Sequence, residues 1–126
     1  MTGKFVISKI DDGFRFDLKA ANSENILSSQ PYVSHASCIK GIESIRANAP
    51  IAPVEDQTMK EFKPEKHPKF EVYRYRNGDY RFRLIARNGE LIGSGERYKS
   101  KAGCLNGIDS IKRNSLDAII AEEEVV

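Results

Sequence analysis

The 126-residue chain contains no tryptophan, and cysteine, methionine and histidine occur only twice each. Cys38 and Cys104 stand far apart, which excludes the dense cysteine spacing of a small disulfide scaffold and points to buried, reduced thiols. His35 and His67 sit at a helix start and in a proline-flanked linker, and the cysteines are far apart, so a metal centre, which needs several ligands at short spacing, is not expected. No stretch approaches the ~20 apolar residues of a membrane span. The first 25 residues lack a basic start followed by an apolar run, and the expectation is a soluble cytoplasmic protein. Phosphate-loop and dinucleotide fingerprints are missing too. Gly93 and Gly95 lie on a strand pattern that opens no helix, so no cofactor is implied. A nucleophile with its own base is equally absent, because Ser34, beside His35, is better used as a helix cap. The paired carboxylates Glu24/Glu90 and Glu43/Asp109 read as solvated surface.

What is present is repetition. Residues 32–48 read YVSHASCIKGIESIRAN and residues 98–114 read YKSKAGCLNGIDSIKRN. Each copy sets a capping serine, Ser34 or Ser100, before apolar positions three or four apart. Cys38, Gly41, Ile42 and Ile45 therefore share one helix face, and the glycine suggests close approach to a sheet. Upstream, KFVISKI (4–10) and RFDLKAA (15–21) alternate as strands about Asp11-Asp12-Gly13, with Phe16, Leu18 and Ala20 inward and Arg15, Asp17 and Lys19 outward. A short strand over 25–29 and a further strand over 51–56 complete the first unit, 1–56. A charged linker with two prolines, 57–68, follows. The second unit, 69–121, repeats the first at a spacing of 65 and then 66, closes with a strand over 116–121, and is followed by an acidic tail, 122–126.

One such unit leaves strand edges bare. Two units about a pseudo-twofold axis can join into a single domain, an α+β structure with two helices on one face of an antiparallel sheet. The linker is long enough for the closing strand of one unit to lie beside the other, and pattern alone does not decide whether it does.

The segments YRFRLIARNGELI (80–92) and ERYKSKAGCLNGIDSIKRN (96–114), with their first-half echoes, closely resemble the YegP-like family of small bacterial proteins. The resemblance implies tandem β3-α-β motifs in one sheet with swapped C-terminal strands. It carries over no site residues, because the family is one of unknown function. The first copy departs from the family pattern at Asn22-Ser23, where Asn-Gly is usual, and at His35, where lysine is usual.

The charge is uneven. Residues 1–50 carry +1, residues 64–116 carry +6, and the last ten carry −4. Arg81, Arg83 and Arg87 alternate along one strand and are expected on its outer face, with Lys99 and Lys101 at the helix start. Arg74 and Arg76 are expected to extend that patch, with Tyr73 and Tyr75 facing away. Tyr32 and Tyr98 either staple their helices or line a groove, and packing is the simpler role. The expected function is a monomeric, non-enzymatic binding module. Nucleic acid or another polyanion on the basic face is the alternative. An enzyme would require a polar pocket between the repeats.

Overall fold

The computed structural model describes residues 3–123. The strands β1 (Lys4–Ile10), β2 (Gly13–Lys19) and β3 (Asn25–Ser29) lead into helix α1 (His35–Asn48) and the short strand β4 (Val54–Asp56). The order then repeats as β5 (Lys69–Arg74), β6 (Tyr80–Ile85), β7 (Leu91–Ser94), α2 (Lys101–Asn114) and β8 (Ile119–Glu122). All eight strands form one sheet in the order β4-β5-β6-β7-β3-β2-β1-β8. No described helix is long and apolar enough to cross a membrane.

The sheet is mixed, which corrects the expectation of a purely antiparallel one. The hairpin partners are antiparallel, but β4 runs parallel to β5 and β8 parallel to β1. Connectivity is the reason: each of these strands follows a helix, which returns the chain to the end of the sheet from which the unit began. Both closing strands are also shorter than their apolar runs suggest, since the segments before Val54 and Ile119 are spent on the exit from the helices.

The two halves meet at β3 and β7, where Ser28 pairs with Ser94, its own counterpart 66 residues on. Close to this seam the repeats must differ. A Cβ placed on Gly93 would stand 2.9 Å from Cγ of Leu27, the matching residue of the first repeat.

Alternation selects the core. Phe5, Phe16 and Leu18 from one half and Phe70, Phe82 and Leu84 from the other are fully buried in one cluster with Cys38, Ile42 and Ile45 of α1 and Cys104, Ile108 and Ile111 of α2. Phe5 meets Phe16 edge to face at 5.8 Å, and Phe70 meets Phe82 at 5.9 Å, a packing that aromatic quadrupoles favour. Ser34 and Ser100 cap their helices by accepting from the backbone N–H of Ser37 (3.1 Å) and Gly103 (3.0 Å). Asn48 does not end its helix in a left-handed conformation. It lies on the last turn and donates to the Ser44 carbonyl, while Ala49 caps in a helical conformation.

Asp17, expected in water, is buried on the face of the sheet away from the helices. The Ser28 hydroxyl donates to it at 2.6 Å and Arg15 lies 3.4 Å away, so its oxygens have protein partners where solvent is excluded.

Candidate functional site

Two surfaces compete for a functional role, and the first is the helix-free face of the second half. Arg81 and Arg83 stand on it as their alternation predicts. Their neighbours on β5 are the reverse of expectation: Tyr73 pairs with Arg81, and Arg74 pairs with Tyr80 on the helix side. The buried Phe70 and Val72 fix the phase of β5, which puts Arg74 on the helix side, exposed at the strand end, and Tyr73 on the opposite face. The result is an aromatic and cationic ladder, with the Arg83 guanidinium 4.6 Å from the Tyr73 ring centre, and Arg81 and Arg97 at 5.4 and 4.5 Å from that of Tyr75.

The five cations singled out in the sequence do not converge. Arg83 is bound by Glu71 at 2.5 Å, and Lys101 by Asp56 at 2.8 Å. Arg87 lies beyond the end of β6, after a register shift at Leu84/Ile85, in the turn closed by the Gly89 N–H on the Ala86 carbonyl. Lys99 is exposed ahead of α2. Arg97 was missed because it follows β7 and has no place in the strand alternation.

Beneath the ladder runs a chain of buried charge across β4, β5 and β6. Lys69 Nζ lies 2.9 Å from Glu55 and 3.2 Å from Glu71, which in turn holds Arg83. Burial alone would raise the Glu55 carboxyl, but hydrogen bonds from Gln57, Lys69 and the Glu65 N–H outweigh it and hold the group below its usual range. Glu71 is likewise lowered, with burial overcome by Arg83 and Lys69, whereas the bond to Glu55 raises Lys69 against the effect of burial. The first repeat has no such chain, since Lys4, Val6, Asp17 and Ala121 occupy the equivalent places.

The second surface is a groove of about 250 Å³ between α1 and the β6–β7 hairpin, lined by nine residues. Tyr32, Ser37, Lys40, Gly41 and Ser44 come from the first repeat, and Ala86, Asn88, Glu90 and Ile92 from the second. Tyr32 fills both roles weighed for it. Its main chain exchanges two hydrogen bonds with Phe14 and its ring stacks on Phe16 at 6.1 Å, while its hydroxyl end borders the groove. Gly41 is required beneath it, because a Cβ there would stand 2.3 Å from the hydroxyl oxygen; the close neighbour is this phenol more than the sheet itself. Partial burial, with the Cys38 thiol and the Glu90 carboxylate adding, raises the phenol above its usual range and keeps it protonated.

The lining is written twice. At a spacing of 66, Tyr32, Gly41 and Ser44 recur as Tyr98, Gly107 and Ser110, and Ala86, Asn88, Glu90 and Ile92 match Ala20, Asn22, Glu24 and Ile26. Only Ser37 and Lys40 change, to Gly103 and Asn106. The second set is assembled in space as well: Glu24 is the last of the causes that raise Tyr98, after burial, Cys104 and Glu96, and a Cβ on Gly107 would meet the Tyr98 hydroxyl at 2.3 Å. Cys38 and Cys104 lie behind these walls, raised to about 11, chiefly by burial, and so are protonated at neutral pH.

The repeat of the whole sequence is matched twice by one family model. The family model described as a domain of unknown function (DUF1508) matches residues 11–56 and again 76–122. The chain belongs to this family. Proteins similar to the chain include a UPF0339 protein of Pseudomonas aeruginosa, 36% identical over 98% of this chain and 99% of that protein, and the UPF0339 protein YegP of Shigella flexneri, 36% identical over 97% and 98%. A UPF0339 protein of Treponema denticola is 54% identical over 54 residues, 43% of this chain and 93% of that protein. The solution structure of the Escherichia coli protein of unknown function yegP has a TM-score of 0.78 at 35% identity, covering 98% of this chain and 94% of that one. The DUF1508 description assigns no activity to any residue.

Proposed function

We propose that the protein is a non-enzymatic binding module whose ligand sits in the groove between α1 and the β6–β7 hairpin, with a related site between α2 and the β2–β3 hairpin. The recurrence of seven of the nine lining residues carries this reading. Several repeated positions have structural work. Asn22 and Asn88 accept from the N–H of Glu24 and Glu90 in their turns, and the hydroxyls of Ser44 and Ser110 accept from Asn48 and Asn114. Glu24 and Glu90 do not share in it: among the described residues their carboxylates make no hydrogen bond or ion pair. A repeated, exposed carboxylate beside a repeated phenol, with no partner of its own, is best accounted for by a ligand.

Part of the same proposal is that the repeats trade their closing strands, so that one chain supplies both walls of each groove and acts as a monomer. The pairing of β4 with β5 and of β8 with β1 supports it. So do two clamps: Arg46 of α1 donates to the Ala118 carbonyl, and Lys112 of α2 donates to the Ala52 carbonyl at 2.8 Å. The test is a small-molecule screen read by amide NMR shifts. Hits that cluster at Tyr32, Gly41 and Glu90, or at Tyr98, Gly107 and Glu24, uphold the reading; hits confined to other surfaces overturn it.

A second reading has its own observation. The Tyr73, Tyr75, Arg81 and Arg97 ladder offers stacking faces and charge to a single-stranded nucleic acid, and Nε of Arg81 is buried without a hydrogen-bond partner among the described residues. Binding that weakens steeply with salt and is lost in Arg81→Glu/Arg97→Glu supports it. No binding of single strands at low salt removes it.

A further inference from the structure

Resting on the groove reading, we infer the class of ligand: both grooves receive a primary ammonium group, and the groove at α1 also receives a carboxylate, so that it selects a free amino acid. The acceptors that converge on each groove are a glutamate, Glu90 or Glu24, and a protonated tyrosine, Tyr32 or Tyr98. An ammonium has three donors and no acceptor, and a carboxylate, a phenol oxygen and a serine hydroxyl are what it requires. The two lining positions that differ between the repeats are neighbours on one helix face, three apart. Lys40 gives the α1 groove a cation that Asn106 does not give the α2 groove, whereas the Ser37 hydroxyl is taken up by Ser34 in the capping box, to whose carbonyl it donates at 3.0 Å. Lys40 forms no ion pair among the described residues, so its charge is available to a carboxylate.

Size and floor agree. A space of about 250 Å³ falls below the ~300–1,000 Å³ of sites for drug-sized molecules, and it is closed beneath by Ala86 and Ile92. That fits an amino acid with an apolar side chain better than a nucleotide.

The experiment titrates the full chain with L-leucine, with 3-methylbutylamine, which lacks the carboxylate, and with 4-methylpentanoate, which lacks the ammonium. Amide shifts at Gly41, Ser44 and Glu90 are followed against those at Gly107, Ser110 and Glu24. Leucine is expected to move the first set at lower concentration than the second, the amine to show no such preference, and the acid to move neither. Lys40→Asn should remove the preference for leucine over the amine at the α1 groove. Glu90→Gln, an exposed and nearly isosteric change, should weaken that groove by about tenfold and leave the α2 groove unaltered. Preferential binding of the acid overturns the inference, as does silence from both leucine and the amine up to about 10 mM. If screen hits still map to the groove in that case, only the ligand class falls; if none do, the groove falls with it.

Discussion

Lys101, the first residue of α2, binds Asp56, the last residue of β4, at 2.8 Å. At the positions 66 earlier and 66 later, the His35 ring of α1 is hydrogen-bonded to Glu122 of β8 at 2.6 Å. Each helix thus starts by gripping the final strand of the other repeat.

The first prediction follows from that grip and from the two carbonyl clamps. A chain cleaved within the exposed stretch 60–63 should remain one particle, because each fragment contributes a strand to the sheet of the other. Size-exclusion chromatography and amide spectra of a protein carrying a protease site there check it. Fragments that separate and lose their dispersed spectra would refute the exchange.

Asp56 itself predicts an acid limb of stability. Burial would raise its carboxyl, but the hydrogen bonds from Lys101 and Thr58 outweigh it and hold it below 3.8, and Glu55 and Glu71 are held below 4.5. For lowered carboxyls the gain is present above the unfolded value and is lost as pH falls through the folded one. Lys69 is raised above 10.5, so its contribution is full below that value and is lost as pH rises through the folded one. Urea midpoints measured against pH should show no change from these groups between about 5 and 10, and a decline on either side.

The Glu55–Lys69 pair is buried at 2.9 Å. Lys69→Met should cost about 3–5 kcal/mol, because Glu55 is left buried without its cation, and Glu55→Leu should cost less, because Lys69 keeps Glu71 at 3.2 Å. The double variant should recover a large part of this loss, and a double-mutant cycle in urea measures the difference. Strict additivity would mean that the two charges are solvated after all.

Ser23 occupies the left-handed region at φ 72°, where the second repeat has Gly89 at φ 85°. Ser23→Gly should therefore stabilise the protein by roughly 0.5–1 kcal/mol, since the strain of a side chain at positive φ exceeds the entropy cost of glycine. Thermal unfolding reads the sign, and Gly89→Ser should move it the other way.

The strands, both helices with their capping serines and the paired fold were legible because periods of 2 and 3.6 residues are written into Phe16, Leu18, Ile42 and Ile45 and written again in the second repeat. What was not legible depended on partners remote in sequence. The parallel seat of β8 beside β1 joins residues more than a hundred positions apart. Asp17 and Lys69 are charged residues buried by neighbours that no local pattern announces. Arg74 was assigned to the wrong face because tyrosine and arginine alternate there, and only Phe70 and Val72 set the phase. Glu24 and Glu90 recur as a pair, and the sequence alone makes them solvated surface. Their grooves need the helix of one repeat and the hairpin of the other, and neither repeat contains both.

That division of walls has a consequence for how the two sites could diverge. A change on the first helix alters one cavity from above, while a change in the first hairpin alters the other from below. Neither repeat owns a site. Each helix and each hairpin lines one cavity and spares the other, so a difference such as Lys40 against Asn106 alters a single wall of a single cavity.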